Sequence, residues 1–153
     1  MTRTRIVVLA LLAGLGLIQL VPVDRENPPV RQRLQLPPAA DQIARQACYD
    51  CHSNETRWPW YSYVAPVSWL VAHDVEEGRE HLNFSDWDRL EPKRQAKRLE
   101  EAAEEVAEGE MPMRIYQFTH SEARLNAARR RQLVDAFNAL RLTVREPDAR
   151  AGP

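Results

Sequence analysis

The sequence has few cysteines, few glycines and almost no net charge, and each shortage excludes a class of protein. Two cysteines in 153 residues are too few for a disulfide scaffold, and five glycines are too few for a glycine-rich phosphate-binding fold. The 21 basic residues nearly balance the 22 acidic ones, so the chain sets up no global field to hold a nucleic acid. The length suits one domain with a core and is too short for two.

The chain has one long apolar run, and it lies at the N-terminus. Every residue from Ile6 to Ile18 is apolar or glycine, Arg3 and Arg5 precede the run, and it stops at Val23. No small-residue cleavage pattern follows, and no cysteine is near enough to carry a lipid. A helix over 6–23 would be about 27 Å long, close to the hydrocarbon thickness of a bilayer. The run predicts an uncleaved membrane anchor over residues 1–23, with the rest of the chain outside the cytoplasmic membrane.

The remainder divides into a proline-rich stretch, a helical domain and a tail. Four prolines lie between Arg25 and Pro38, and they predict an extended stalk over residues 24–38. Apolar residues then recur at helical spacing, which predicts an all-α domain over 39–145. We expect four helices, one from Ala39 into the cysteine pair, one from Pro66 to Gly78, one from Pro92 to Gly109, and a last one after a Thr119/Glu122 capping box. No strand pattern is convincing, and residues 146–153 form a polar tail.

The two cysteines stand in Cys48-Tyr49-Asp50-Cys51-His52, which matches the Cys-x-x-Cys-His attachment signature of c-type haem. Two thiols three positions apart on a helical turn can add to the two haem vinyl groups. The imidazole that follows is then carried under the iron as its proximal ligand. The motif predicts one covalent haem c on Cys48, Cys51 and His52, and export agrees with it because c-type attachment occurs outside the cytoplasm.

Three other interpretations of the cysteine pair are weaker. A structural zinc site needs four ligands, and the chain has no second cysteine pair. A thioredoxin-like redox pair would lie near a strand–helix–strand pattern, which is not evident here. A disulfide would account for the two cysteines and leave the histidine beside them unexplained.

The second iron ligand decides between functions, because a six-coordinate haem has no vacant site. Met111 and Met113 are the candidate thioethers, and Met111 is the first choice because it follows a helix stop and precedes a stiffening proline. His73 and His120 are the alternatives, and either could instead act as a distal group above an open iron. Ordinary core packing is the competing role for either methionine.

Side chains after the motif are candidates for the walls of the haem pocket. Trp58, Trp60, Tyr61 and Trp69 follow His52 closely enough to surround a porphyrin and exclude water. Arg57 or Arg79 could pair with the haem propionates.

Several segments together resemble the bacterial haem-binding domain proteins that carry one Cys-x-x-Cys-His motif. The resemblance covers about residues 20 to 142. Beyond the haem motif, it is carried by Trp58-Pro59-Trp60-Tyr61-Ser62, Ala65-Pro66-Val67-Ser68-Trp69-Leu70, Glu77-Gly78-Arg79, Leu82-Asn83-Phe84-Ser85 and Gly109-Glu110-Met111-Pro112. It implies a small, exported, helical monohaem domain with haem on Cys48, Cys51 and His52. Met111 matches the family's methionine, and His120 matches a family position although Ser121 stands where proline is common.

We therefore expect a membrane-anchored monohaem c-type cytochrome that passes single electrons between redox partner proteins outside the cytoplasmic membrane. Two alternatives stay open. One is a five-coordinate haem protein that senses a gas or reacts with peroxide, and the other is a haem-bearing subunit of a respiratory complex.

Overall fold

A computed structural model describes residues 2–145 and is all-helical, which confirms the predicted fold class. No β-strand occurs in this range, where a single parallel bridge joins Gln32 to Asp86. The predicted polar tail, 146–153, lies outside the described residues. Within the described residues, the α-helices are α1 Arg3–Ile18, α2 Pro38–Ala47, α3 Tyr49–His52, α4 Val67–His81, α5 Pro92–Glu108, α6 Arg114–Thr119 and α7 Ala127–Arg145.

The core forms where α2, α5 and α7 pack together beside the aromatic ring of Phe84. That ring stacks on Tyr49 at 5.0 Å and lies 6.3 Å from the ring of Phe137. Leu99 and Leu133 are completely buried between α5 and α7. Each such side chain contributes about 1.5–3 kcal/mol through burial, so the α5–α7 pair is the main apolar support of the domain.

Helix α5 begins and ends where the sequence predicts. Pro92 occupies its first turn, where a missing N–H has no consequence. Gly109 ends it in the left-handed conformation, with φ of 88°. The buried side of the helix carries the predicted stripe of Ala96, Leu99, Ala103 and Val106.

The other helix boundaries differ from prediction for local reasons. Helix α4 continues past Gly78 to His81, because this glycine is a packing position and not a stop signal. The predicted capping box at Thr119 does not start the last helix. Thr119 instead ends the unpredicted helix α6, and Asn126 caps α7 by accepting a hydrogen bond from the Arg129 backbone N–H at 2.9 Å.

The segment predicted as a stalk is extended but lies along the helical domain instead of separating it from another body. The Leu34 backbone N–H donates to the Phe84 carbonyl at 2.9 Å, and the Leu34 side chain is buried in the core. Asn27 donates to the Thr56 carbonyl at 2.9 Å, and Arg33 forms a bidentate ion pair with Glu55. Prolines exclude helix here, while the free backbone groups between them bind the domain.

Helix α1 is shorter than the predicted anchor and has no buried residue. It ends at Ile18 because Pro22 disfavours helix in the preceding turn. Among residues 2–145, no helix combines the length and the apolar character needed to cross a membrane.

We predict that Gly109→Ala lowers the free energy of unfolding by about 1–2 kcal/mol, since a side chain is strained at this positive φ. The measurement is equilibrium denaturation with urea. Gly109→Asn is the matched control and should cost less, because asparagine tolerates the left-handed region. Equal stability of wild type and Gly109→Ala would contradict the left-handed end of α5.

Candidate haem site

A cavity of about 580 Å³ lies between α3, α4, α5 and the loop that follows α5. Cys48, Cys51 and His52 contribute to one side of its lining, and Met111 and Met113 contribute from the loop. Its volume is within the range of small-molecule and cofactor sites. Residues 60 positions apart in the sequence therefore meet around one space.

The His52 ring is oriented by the C-terminal end of α4. Its Nδ1 lies 2.8 Å from the Gly78 carbonyl oxygen and 3.2 Å from the Leu82 carbonyl oxygen. Both partners are acceptors, so Nδ1 carries the proton and donates, and Nε2 keeps its lone pair. Burial lowers the pKa of His52, which favours the neutral ring even though the two carbonyls oppose the shift. A neutral imidazole with a free Nε2 is the form that binds iron.

The backbone of His52 is fixed by the same stretch of chain. The Phe84 N–H donates to the His52 carbonyl at 2.8 Å. The Gly78 carbonyl also accepts the Leu82 backbone N–H at 3.0 Å, and a carbonyl oxygen has a second lone pair for the imidazole. Ring and backbone of His52 are thus held together by residues 78–84.

Gly78 allows α4 to approach α3 this closely. A Cβ built at this position would lie 2.6 Å from the Cys51 carbonyl oxygen and 3.0 Å from its carbonyl carbon. The obstacle is backbone, which cannot rotate away as a side chain could. Any larger residue must therefore push the two helices apart at the motif.

The two cysteines are free thiols on the cavity wall and are not joined as a disulfide. Burial raises the pKa of each to about 12, with a further contribution from Cys51 at Cys48 and from Asp74 and Asp50 at Cys51. Both thiols are therefore protonated at neutral pH. In the described part of the chain, no three His, Cys, Asp or Glu side chains are grouped to hold a metal ion.

The loop that carries the methionines is fixed by the end of α5. The backbone N–H groups of Gly109, Glu110 and Met111 all donate to the Glu105 carbonyl, each at 3.1 Å. This turn directs the chain back across the cavity, and the half-buried Met111 packs against the hydrophobic core. Met113 also lines the cavity, so position alone does not decide which of the two thioethers would be the second iron ligand.

The aromatic residues predicted to form the wall of the haem pocket do not line the cavity. None of Trp58, Trp60, Tyr61 and Trp69 lines the cavity, and the Trp60 side chain is 78% exposed. Trp60 and Tyr61 lie in the 3-10 helix Trp60–Tyr63, and Trp69 is on the outward side of α4, whose buried residues are Ser68, Val75 and Gly78. The rings that line the cavity are those of Phe84, Tyr116 and Phe137. Helical periodicity in α7 predicts a buried Phe137, whereas no sequence pattern singles out the other two.

The alternative histidine ligands lie off the cavity. His73 is exposed on α4, with Nε2 at 3.5 Å from a Glu77 carboxylate oxygen. His120 stacks on Tyr116 with ring centroids 4.1 Å apart and is not part of the lining. His81, which the sequence gives no reason to select, is the second histidine at the cavity, at the exposed end of α4.

The two predicted propionate partners have other contacts. Arg57 donates from Nε to an Asp50 carboxylate oxygen at 3.3 Å, and Arg79 binds the Ser53 and Glu26 carbonyls at 2.9 Å each. Neither lines the cavity. The arginine that does is Arg98 on α5, which is hydrogen-bonded to Glu101 at 2.8 Å.

The buried carboxylate of Asp50 connects two sides of the cavity through a hydrogen bond. Asp50, between the two cysteines, accepts a 2.8 Å hydrogen bond from the Tyr116 hydroxyl of α6. Burial and this bond raise the pKa of Tyr116, so its hydroxyl stays a donor. Tyr116 therefore connects the chain that follows the methionines to the cysteine motif.

These features fit a haem. The donor set offers the oriented His52 imidazole, the His81 imidazole, and the thioethers of Met111 and Met113, and it includes the ligand types of His/Met haem iron. Two thiols line the same space, and its interior is largely apolar, with Leu82, Phe84 and Phe137 among the lining residues. One site thus brings together side chains of the types that bind haem iron, two thiols and a largely apolar lining.

Comparison with known families agrees with this description. Residues 13–139 match the model of the haem-binding domain family. The match covers most of the chain, and the protein belongs to that family. No curated protein and no solved structure matches it.

We predict that Gly78→Ala reduces the amount of haem that the purified protein retains. The added methyl group must displace the Cys51 backbone, and such overpacking costs about 1–3 kcal/mol. Haem absorbance per protein and thermal unfolding of the holoprotein measure the two effects. Glu76→Ala, at an exposed position of the same helix, is the control and should leave both unchanged. Full haem content and stability in Gly78→Ala would refute the close approach of α3 and α4.

Proposed function

We propose that the protein is a membrane-anchored monohaem c-type cytochrome that carries single electrons outside the cytoplasmic membrane. One observation supports this function above the others. Cys48, Cys51, His52 and Met111 line a single cavity, and the His52 Nδ1–Gly78 hydrogen bond leaves Nε2 available to iron. When bound, haem supplies a one-electron Fe(III)/Fe(II) couple.

The protein's contribution to attachment is to present two neutral thiols beside one apolar space. The two cysteine thiols would hold the haem through thioether bonds to its vinyl groups, and this attachment requires no oxidant or reductant. Cys48 and Cys51 each supply one S–H group. Covalent attachment would retain the haem outside the cytoplasm, where a lost cofactor is not replaced.

His52 and Met111 would be the residues that hold the haem iron. Their roles are to hold the iron in one geometry in both oxidation states and to keep water away from it. The apolar lining residues Leu82, Phe84 and Phe137 favour the less charged ferrous state, while the carboxylates of Asp74, Glu77, Glu101 and Glu105 favour the ferric state. His73 and His120, the predicted distal groups of the gas-binding or peroxide-reacting alternative, lie off the cavity lining. His81 is the histidine besides His52 that lines the cavity, and it lies at the exposed end of α4.

Anchoring is proposed for α1. Apolar Leu, Val and Ile side chains lie on all sides of this helix and are exposed, and none of its residues is buried. An apolar helix of this kind is stable only when another apolar medium covers it. At about 24 Å it is shorter than the hydrocarbon layer, and Arg3 and Arg5 could reach the headgroups at its start.

We predict that one haem resists extraction with acidified acetone and adds its mass to the denatured protein. Cys48→Ala with Cys51→Ala should release the haem on extraction, because no thioether can form. Mass spectrometry of the denatured protein measures the difference. The matched control is Tyr49→Phe, which keeps both cysteines. Extractable haem in the wild-type protein would contradict c-type attachment.

We predict that Met111→Ala removes the weak far-red absorption band by which ferric haem reports methionine–iron ligation. Met113→Ala is the matched control and should keep the band while the haem stays attached. Loss of the band in Met113→Ala but not in Met111→Ala would make Met113 the iron ligand and would leave the proposed electron-transfer function unchanged. High-spin spectra without the band in the wild-type protein would instead support the five-coordinate alternative.

A further inference from the structure

We propose that an exposed apolar surface beside the end of α1 lies in the headgroup region of a lipid bilayer and fixes the orientation of the haem domain on the membrane. This interfacial surface consists of Trp60, Tyr63, Val64, Val67, Trp69 and Leu70. The inference rests on the proposed anchoring by α1 and adds a second, distinct contact with lipid.

The interfacial surface is an uncharged stretch in a highly charged chain. Residues 58–72 contain no Asp, Glu, Lys, Arg or His, although 28% of the chain is Asp, Glu, Lys or Arg. Its side chains nevertheless point outward. Tyr63 is 59% exposed and Leu70 is 53% exposed, while the first turn of α4 buries only Ser68. Large exposed apolar patches of this kind mark contact with a partner or a membrane.

Hydrogen bonds fix this surface to the point where α1 ends. Gln19 Nε2 donates to the Ala65 carbonyl at 3.1 Å, and the Ala65 N–H donates back to Gln19 Oε1 at 2.9 Å. Ala65 lies between the two parts of the interfacial surface and is itself buried. The side-chain amide of Gln19 thus bonds to both the N–H and the carbonyl of Ala65. These two bonds hold the interfacial surface next to the C-terminal end of α1.

Arg25 adds a second connection. Its guanidinium carbon is 4.5 Å from the centre of the Tyr63 ring, and its Nη1 donates to the Ser62 carbonyl at 3.2 Å. This places one positive charge at the edge of an aromatic surface.

A bilayer interface fits this combination better than a protein partner does. Trp and Tyr favour the membrane–water boundary, where the ring is buried and the polar group stays wet, and arginine binds lipid phosphate. The surface is also continuous with α1, whose own apolar side chains require a lipid environment. If α1 enters the bilayer, the Gln19–Ala65 pair brings the interfacial surface to the headgroups.

The test uses the full-chain holoprotein in vesicles of phosphatidylethanolamine and phosphatidylglycerol. Single cysteines for nitroxide labelling are introduced as Val64→Cys and Leu70→Cys in the interfacial surface, with Leu11→Cys in α1. Leu142→Cys is the matched control, an exposed leucine on α7, which packs on α5 and α2. With the iron reduced, electron paramagnetic resonance compares collisions of each label with oxygen, which concentrates in lipid, and with a nickel chelate, which stays in water.

We predict an oxygen-to-nickel collision ratio several-fold higher at positions 64 and 70 than at 142, and highest at 11. A high ratio at 11 with equal ratios at 64, 70 and 142 would overturn the interfacial surface and leave the anchor intact. A water-like ratio at 11 would overturn both the anchor and this inference. If the labels at positions 64 and 70 collided with neither reagent, another protein surface would be covering them, and the proposed contact with lipid would be wrong.

Discussion

The hydrogen bond from His52 Nδ1 to the Gly78 carbonyl joins the two helices that form one wall of the cavity. It requires the close approach of α4 to α3, and that approach requires a residue without a Cβ. The same bond selects the imidazole tautomer whose Nε2 keeps the lone pair of a metal ligand. The tautomer of His52 therefore depends on the absence of a side chain at Gly78.

A buried polar network holds the chain that follows the motif against α3. Ser53 donates to the Tyr49 carbonyl at 2.7 Å, and Thr56 donates to the Asp50 carbonyl at 2.7 Å, so the chain after the motif folds back on it. The amide of Asn54 donates to the Pro29 carbonyl at 3.0 Å, which brings in the extended N-terminal segment. Satisfied buried polar groups specify one arrangement, because any other leaves them unpaired. The extended segment acts in place of a further helix on this side of the domain.

The sequence predicts features that depend on local chemistry. The spacing of the two cysteines and the histidine, the boundaries of α5 and the short list of methionines all follow from neighbouring residues. Features that depend on tertiary contacts are missed. Gly78 has the pattern of a helix stop, and only the position of the Cys51 carbonyl shows that it is a packing site. The tryptophans after the motif have the composition of a pocket wall, but nothing local shows that Trp60 and Trp69 are exposed and that Trp58 lies off the cavity.

Iron K-edge X-ray absorption of the holoprotein, in the ferric and ferrous states, tests the central claim most directly because it counts the atoms bound to iron. The account predicts six ligands in both states, of which one is sulfur and five are nitrogen. That sulfur should disappear in Met111→Ala and persist in Met113→Ala. Five ligands, or six without sulfur, in the wild-type protein would contradict an iron held between His52 and Met111.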